Sequence, residues 1–260
     1  MTISKNQVRF LKSLAEKKHR DREHLYLAEG EKIAEELLHH HLSGKLSAVH
    51  FFAYPEWIRV HQTDLERSGC AFTEAEASLL QQASSLSTPP GVMVVVRIPK
   101  EEPDHSLIKS DIVPVFEAIR DPGNLGTIIR TADWFGVRQI ICSPDSVDPY
   151  NPKCIQSSMG AIARVKVVSE PLEPLISQAA RAGIPVYGTL LDGEDLYSVP
   201  LSPGGLILFG NESKGLSDSL RSLVTKKIRI PEYPRGEVST ESLNIATSAG
   251  IILAEWRRKG

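Results

Sequence analysis

Apolar runs alternate with amphipathic segments along the whole chain, and this alternation predicts an α/β fold. In the amino-terminal part, the pattern predicts helices at 31–40 and 55–69 and strands at 25–30, 46–54 and 91–98. Pro55 favours the start of the second helix, because a first-turn residue does not need the N–H that proline lacks. Together these elements predict a small amino-terminal α/β domain.

A segment with two prolines, mixed charge and little apolar content covers residues 99–111, and it predicts a linker between domains at 1–98 and 112–260. The second domain contains stronger apolar runs, which predict strands at 112–119, 139–143, 164–169, 184–191, 204–211 and 226–231. Such near-continuous runs are typical of a parallel sheet covered on both faces. Ligands bind beyond the carboxyl ends of strands in these sheets, so the residues that follow each strand are candidates for a site.

The composition is that of an ordinary soluble globular protein, with 41% hydrophobic and 24% charged residues among 260. The first residues lack an apolar signal segment, and no run approaches the roughly 18 apolar residues of a membrane helix, so we expect a cytoplasmic protein without membrane contact. Cys70, Cys142 and Cys154 lie far apart, which favours reduced thiols. The consecutive histidines at 39–41 cannot all face one ligand from a helix, and no metal is predicted.

The net charge of −2 does not indicate a nucleic-acid-binding protein, but the charges are unevenly distributed. Residues 1–22 form a basic arm that carries Lys5, Arg9, Lys12, Lys17, Lys18, Arg20 and Arg22. The alternative is a solvated amphipathic helix, since Ser4 and Gln7 fit a capping box and Val8, Leu11 and Leu14 share one face. These residues alone leave both interpretations open.

The stretch at 209–217, FGNESKGLS, is close to a phosphate-binding P-loop but lacks its essential lysine. The motif requires lysine directly after the second glycine, where this chain has Leu216. Lys214 precedes Gly215 and cannot replace it. A dinucleotide-binding G-x-G-x-x-G and a G-x-S-x-G nucleophile elbow are also missing from the sequence, which disfavours an unrelated α/β nucleotide enzyme or hydrolase.

Polar residues follow the predicted strands instead, in three segments. The first is RDPGNLGTIIRTADWFG after the strand at 112–119, the second is GNE at the end of the strand at 204–211, and the third is ESLNIATSAG near the carboxyl terminus. Each has an ordinary alternative, as a helix cap, a surface ion pair or a turn. Their occurrence together indicates a functional site.

These motifs, in this order, resemble the SpoU/TrmH type of the SPOUT superfamily, which are S-adenosylmethionine-dependent RNA ribose 2′-O-methyltransferases. The resemblance covers 112–258, and its matching residues are Asn124, Gly126, Arg130, Gly210, Glu212, Gly215, Glu241, Ser242, Leu243 and Asn244. The amino-terminal part is similar to the substrate-binding domain of many members, which is built like a ribosomal RNA-binding protein. The loop at 232–241 is longer than usual in the family.

The resemblance implies a deep trefoil knot that holds S-adenosylmethionine in its loops, an exception to the rule against knots. It places the cofactor against Thr189, Leu190, Gly210, Asn211, Ile230 and Leu243. Gly210 fits such a place, because a residue without Cβ lets the main chain approach a ligand closely.

The resemblance also implies that Arg130 is catalytic, either as a base or as an electrostatic stabiliser of the developing alkoxide. An arginine pKa above about 12 favours the second role. Asn124 and Glu212 would hold Arg130 or order neighbouring loops, whereas Ser242 and Asn244 would shape the site at a helix start.

For the substrate, the extra amino-terminal domain favours large-subunit ribosomal RNA over transfer RNA, and a non-catalytic RNA-binding relative is a further alternative. The resemblance implies a homodimer formed by the carboxyl-terminal domains, with Arg130 of one subunit serving the cofactor of the other. The small side chains of Ala246, Ala249 and Gly250 would permit close approach of the partner, and the alternative is that they pack within one subunit.

Overall fold

The computed structural model describes residues 2–100, 102–233 and 242–259. The helices are α1 (Lys5–Ser13), α2 (Lys17–Glu23), α3 (Glu31–Leu42), α4 (Pro55–Ser68), α5 (Ala77–Ala83), α6 (Leu107–Ser110), α7 (Pro122–Trp134), α8 (Pro152–Ser158), α9 (Leu172–Arg181), α10 (Asp218–Ser222) and α11 (Ile245–Lys259). The strands are β1 (Leu25–Glu29), β2 (Ala48–Ala53), β3 (Ala71–Glu74), β4 (Val92–Arg97), β5 (Ile112–Phe116), β6 (Gln139–Cys142), β7 (Lys166–Ser169), β8 (Val186–Asp195), β9 (Gly205–Phe209) and β10 (Lys226–Arg229).

The chain divides into two compact units, and the first combines residues 1–100 with 148–163. Its four-stranded sheet has the order β1-β4-β2-β3, in which β4 is antiparallel to both neighbours and β3 is parallel to β2. The capping box predicted for the first helix is confirmed, with Ser4 as the N-cap and Gln7 as its partner. The predicted strands and helices of this part are also present, whereas β3 and α5 were not predicted because both are short and weakly patterned.

The contribution of residues 148–163 to this unit differs from the predicted domain division at 98 and 112. Ile155 belongs to the core formed by the first sheet and its helices, and the Tyr150 ring lies 5.0 Å from the ring of Tyr26. These contacts join residues far apart in the sequence, so local pattern could not reveal them. The amino-terminal unit is therefore built from two separate stretches of chain.

The second unit contains a six-stranded sheet with the order β10-β8-β9-β5-β6-β7. Every pair of neighbouring strands is parallel, as the apolar runs predicted, and all six predicted strands are present. The strands β5, β6 and β9 are buried along their whole length, because helices cover both faces. Their carboxyl ends meet at one edge of the sheet.

A bulge in β8 shapes this carboxyl edge. Gly188 pairs with Lys227, but the next residue of β10, Ile228, pairs with Glu194, so residues 189–193 leave the ladder and return to it. A Cβ placed on Gly193 would lie only 2.5 Å from the carbonyl carbon of Ile228, and only glycine fits there. The bulge therefore requires close approach between two main-chain segments.

The helices α7 and α11 pack against each other within the second unit. Ala246 and Ala249 are buried in this chain, and a Cβ on Gly250 would lie 3.7 Å from the Thr131 methyl group on α7. Ala246 and Ala249 therefore pack inside the subunit, whereas the use of these small residues in subunit pairing stays a prediction. Within the described part of the chain, no helix has the length and apolar character needed to cross a membrane.

Candidate active site

The first motif begins where the chain leaves β5 and enters α7. Asp121 is the N-cap of this helix, and its carboxylate accepts a hydrogen bond of 2.8 Å from the backbone N–H of Asn124. Pro122 occupies the first turn, where its missing N–H costs nothing. The cap fixes Asn124 in the first turn of α7, directly beyond the carboxyl end of β5.

The Asn124 side chain joins the three motifs that the sequence singled out. Its amide nitrogen donates to Glu212, and its amide oxygen accepts a hydrogen bond of 3.0 Å from Nδ2 of Asn244. Asn244 in turn accepts from the backbone N–H of Ala246 at 2.9 Å and so supports the start of α11. One side-chain network therefore brings together residues separated by 88 and 120 positions in the chain.

Arg130 lies about two turns beyond Asn124 on α7, and its side chain is exposed. No described residue forms a hydrogen bond or ion pair with its guanidinium, and the amide of Asn124 is engaged by Glu212 and Asn244 instead. These hydrogen bonds are compatible with the second of the two roles predicted for Asn124 and Glu212, the ordering of loops, and both roles stay predictions. Ser242 and Leu243 are exposed beside Asn244, and Glu241 lies outside the described residues.

The second motif forms a closed turn between Asn211 and Gly215, whose backbone N–H and C=O groups pair with each other. The Asn211 side-chain oxygen accepts from the backbone N–H groups of Ser213 and Lys214, at 3.0 and 3.2 Å. A P-loop would present such groups to a phosphate. At Gly210, a Cβ would lie 2.2 Å from the Gly215 carbonyl carbon, so the lack of a side chain there lets the turn close. Contact between the Gly210 main chain and the cofactor stays a prediction.

Ala118 adopts a left-handed conformation at the end of β5, with a φ of 52°. This conformation is costly for alanine and requires support from its surroundings. Its backbone N–H donates to the hydroxyl of Ser143 at 2.8 Å, and its carbonyl accepts from Nδ2 of Asn211 at 2.9 Å. Two side chains from neighbouring strand ends therefore hold this turn in place.

Five of the six residues predicted to contact the cofactor lie in or directly after β8, β9 and β10, and the sixth, Leu243, precedes α11. Thr189 and Leu190 begin the β8 bulge, and the Thr189 hydroxyl donates to the carbonyl of Leu208 at 2.9 Å. Ile230 directly follows β10. Two apolar side chains in these segments are exposed to solvent, Leu191 at 79% and Leu243 at 48%. Such surfaces suit an adenosine group that would cover them.

The bulge is anchored by an ion-pair cluster on Asp192. Its carboxylate accepts from Lys227 at 2.8 Å and from Arg221 at 2.9 Å. The Lys227 hydrogen bond, helped by the charge of Arg221, holds the pKa of the Asp192 carboxyl below its usual range. The carboxylate therefore stays charged at neutral pH and ties β8 to β10 and α10.

In the amino-terminal unit, most of the predicted RNA-binding cations are exposed, but they differ in their pairing. Lys17, Lys18 and Arg22 form ion pairs of 2.7–2.8 Å with nearby acidic residues. A second set lies on one face of α1 at helical spacing and has no hydrogen-bonded or ion-paired partner among the described residues: Lys5, Arg9 and Lys12. These cations are the ones free to contact phosphates.

Arg20 is a correction to the predicted RNA-binding set. Its side chain is 2% exposed, and its guanidinium donates to the carbonyls of Leu14 and Ala15 and to the carboxylate of Asp148. A buried arginine with these bonds cannot reach RNA without breaking them. Arg20 therefore holds the amino-terminal unit together, and the cost of burying its charge is met by four hydrogen bonds.

Three features of this edge were missed by sequence reasoning: the strained Ala118, the anchor at Asp192 and the close approach at Gly193. Gly193 did carry a signal, because a glycine that continues a strand often marks a bulge or a close backbone contact. For Ala118 and Asp192 the sequence offers no such sign.

A parallel sheet whose carboxyl edge joins these three motifs matches the class of RNA methyltransferases that the sequence resembles. The family model described as SpoU rRNA Methylase matches residues 111–254, and the chain belongs to this family. The model of the MRM3-like substrate binding domain matches residues 5–94.

Among curated proteins, the chain is similar to the 23S rRNA (guanosine(2553)-2′-O)-methyltransferase RlmP of Bacillus subtilis, with 29% identity over 98% of this chain and 97% of that protein. Among solved structures, it resembles a TrmH-family protein from Porphyromonas gingivalis, with 33% identity, a TM-score of 0.85 and coverage of 99% of both chains. An AdoMet-bound rRNA methyltransferase from Sinorhizobium meliloti has 27% identity and a TM-score of 0.84, over 99% of this chain and 97% of that one.

Proposed function

We propose that this protein transfers the methyl group of S-adenosylmethionine to a ribose 2′-hydroxyl of large-subunit ribosomal RNA. The observation that carries the proposal is the Asn124 network, which joins Glu212 and Asn244 at the carboxyl edge of the sheet. The chain belongs to a family of rRNA methylases, which supports a role of this network in methyl transfer. Of the relatives that match nearly the full chain, one is named as a 23S rRNA 2′-O-methyltransferase and another is an rRNA methyltransferase with AdoMet bound. We propose that the protein acts on large-subunit rRNA in the cytoplasm.

The residues present fit S-adenosylmethionine on the β8, β9 and β10 half of the edge. Exposed Leu191 and Leu243 offer apolar cover for an adenine, and the turn at Asn211 limits the site on the β9 side. When bound, the cofactor supplies an electrophilic methyl group on a sulfonium. Thr189, Leu190, Gly210, Asn211, Ile230 and Leu243 form the proposed wall of the site, in which Gly210 acts by letting the Gly215 backbone close the turn.

We also propose that the carboxyl-terminal segments thread through a trefoil knot around this wall. The bulge at 189–193 and the 2.5 Å approach of a Gly193 Cβ to Ile228 support the threading, because the β8 segment closes tightly around the end of β10. A hydrogen bond of 2.9 Å from the Leu196 N–H to the Arg229 carbonyl continues the contact. The knot would act together with the Asp192 ion pairs to keep these loops in place.

For catalysis, Arg130 is the proposed group that stabilises the developing 2′-alkoxide. Arginine is a poor general base in proteins, so the proposed role rests on the charge and the hydrogen-bond donors of the guanidinium. No described partner occupies it, which leaves all its donors for the ribose and an adjacent phosphate. Asn124, Glu212 and Asn244 keep the three motif loops in register, and Ser242 flanks them at the entry to α11.

For RNA binding, the proposed contact surface includes the face of α1 formed by Lys5, Arg9 and Lys12. Lys17, Lys18 and Arg22 contribute less, because each already has an acidic neighbour. The match of residues 5–94 to a substrate-binding domain supports this division of roles.

We further propose a homodimer in which Arg130 of one subunit completes the site of the other. Trp134 lies one turn beyond Arg130 on the same face of α7 and is 84% exposed, as suits a side chain that a second subunit covers. Mixing inactive Arg130→Ala chains with inactive Leu243→Asp chains should restore up to about half the activity per mixed dimer. Inactive mixed dimers would rule out the shared site.

Mapping of ribose methylation in cells tests the proposed function. Deleting the gene should remove one 2′-O-methyl group from large-subunit rRNA, and expressing the protein again should restore it. Loss of a transfer-RNA methyl group instead would support the alternative substrate. Unchanged methylation of both RNAs, together with no S-adenosylmethionine binding by calorimetry, would support a non-catalytic RNA-binding relative.

A further inference from the structure

The other half of the same sheet edge carries a separate cleft of about 490 Å³. It is lined by the segments that follow β5, β6 and β9 and by the first turns of α9 and α10. Of the residues proposed for the cofactor, the lining contains Asn211 alone, and Arg130 does not line it. The cleft is therefore distinct from the proposed methyl-transfer site, although both share one turn.

The cleft is built from fixed main chain. The strained Ala118 forms part of its wall, and the two side chains that hold Ala118, Ser143 and Asn211, line the cleft as well. The backbone N–H of Ser217 donates to the Glu117 carboxylate at 2.9 Å, which joins the β5 end to the loop before α10. Strain held by several bonds is typical of sites that are organised before a ligand arrives.

The lining carries the carboxylates of Glu117, Asp145 and Glu173. Glu117 bonds to Ser217 and Asp145 to Arg120, and the remaining groups suit a nucleotide. Buried Leu172 and Leu220 offer an apolar surface for the face of a base, and the exposed hydroxyl of Ser219 offers a hydrogen bond to its edge. The Lys214 ammonium has no bonded partner among the described residues, which leaves it available to a phosphate. Arg120 is paired with Asp145 at 2.7 Å and is less available. The volume is within the usual range for small-ligand sites.

We propose that this cleft holds one unpaired nucleotide of the RNA substrate, a neighbour of the nucleotide that is methylated. Its base lies against Leu172 and Leu220, and its phosphate contacts Lys214. The neighbour is distinct from the reacting nucleotide, because the 189–193 bulge of the proposed cofactor site does not line the cleft. Sequence-specific RNA recognition usually targets unpaired bases, and a fixed pocket beside the reacting ribose would select the methylated position. This inference rests on the proposed function.

Filling the cleft tests the base contact. Ser219→Trp places an indole in the cleft, and Ser222→Trp is the matched control, on the same short helix but outside the lining. With rRNA from a strain that lacks the gene, Ser219→Trp should raise KM for RNA by about tenfold or more, as expected for loss of one stacked base. Its Kd for S-adenosylmethionine should stay within about twofold of wild type.

An unchanged KM in Ser219→Trp, or an equal rise in Ser222→Trp, would overturn the cleft assignment and leave the proposed function intact. Failure of the wild-type protein to methylate any RNA would instead refute the proposed function.

A charge variant tests the phosphate contact without filling the cleft. Lys214→Gln should reduce the slope of log K for RNA binding against log salt by about 0.7, the value for one phosphate contact on a single strand. Lys109→Gln, an exposed lysine of the same unit outside the cleft, should leave the slope unchanged. Equal slopes for wild type and Lys214→Gln would overturn the placement of the phosphate.

Discussion

Two arginines show how the two units of this protein use the same side chain differently. Arg20 in the amino-terminal unit is 2% exposed, and its guanidinium is held by Asp148 and two backbone carbonyls. Arg130 in the carboxyl-terminal unit is exposed on α7 and bonds to no described residue. A guanidinium whose donors are all engaged supports the fold, whereas one with free donors is available to a ligand. Burial and hydrogen bonding therefore distinguish an arginine that supports the fold from one that is available to a ligand, whereas the basic charge of the local sequence does not.

The largest expected effect comes from removing Arg20. Arg20→Ala leaves Asp148 with a poorly solvated, unpaired charge and should lower the free energy of unfolding by about 3–5 kcal/mol. Urea denaturation measures the change. Arg22→Ala is the matched control and should cost less than about 1 kcal/mol, because Arg22 is 67% exposed and Glu23 is its one ion-pair partner among the described residues. Equal losses in both variants would break the distinction between buried and exposed arginines.

In the carboxyl-terminal unit, the corresponding test removes the side chain that joins the motifs. Asn124→Ala leaves Glu212 and Asn244 without their shared partner, and it should lower kcat about 100-fold by loosening the loops around the site. Thr127→Ala on the same helix should keep nearly full activity, because the Thr127 hydroxyl bonds to the Gly123 carbonyl and to no other group in the described part of the chain. Steady-state rates of methyl transfer measure the difference between the two variants. Wild-type activity in Asn124→Ala would show that the Asn124 network is not needed for methyl transfer.

A smaller effect distinguishes the free cations of α1 from the paired ones of α2. Replacing Lys5, Arg9 and Lys12 by glutamine, one at a time, should each reduce the salt slope of RNA binding by about 0.7–0.9. Lys17→Gln and Lys18→Gln should change it less, because their ammonium groups already lie 2.8 and 2.7 Å from carboxylates. Equal slopes throughout would show that ion pairing does not select the contacts.

The smallest effect concerns His50 in the amino-terminal sheet, which stacks on Phe52 at 4.0 Å and bonds to Thr73. Burial lowers the pKa of His50 below its usual 6.5, so the unfolded chain takes up this proton first as pH falls. The contribution of neutral His50 to the free energy of unfolding is thus fully present above about pH 6.5, and it decreases as the pH falls below that value. Thermal unfolding should show a weaker loss between pH 7 and 5 in His50→Gln than in wild type or in exposed His39→Gln. An identical loss of thermal stability in all three proteins would contradict the lowered pKa of His50.

Much of the architecture follows from local pattern. The buried strands of the second sheet have near-continuous apolar runs, and parallel strands bring their carboxyl ends together, so the meeting of Asn124, Glu212 and Asn244 at one edge was predictable. The burial of Arg20 was not predictable, because its partner Asp148 lies 128 positions away in the chain and the local charge indicated only a basic arm. The β8 bulge and the left-handed Ala118 likewise depend on tertiary contacts that no sequence window contains.

The most direct test of the account measures labelled methyl transfer from S-adenosylmethionine to rRNA of the deletion strain by wild type and Arg130→Ala. Wild type should place the label on one ribose 2′-oxygen, which makes the adjoining linkage resistant to alkali. Arg130→Ala should fold and bind S-adenosylmethionine normally, but transfer methyl about 100- to 1000-fold more slowly, the range for loss of one stabilising donor. Label on a base, or an Arg130→Ala rate equal to wild type, would contradict the proposal that a free arginine at this sheet edge directs ribose methylation.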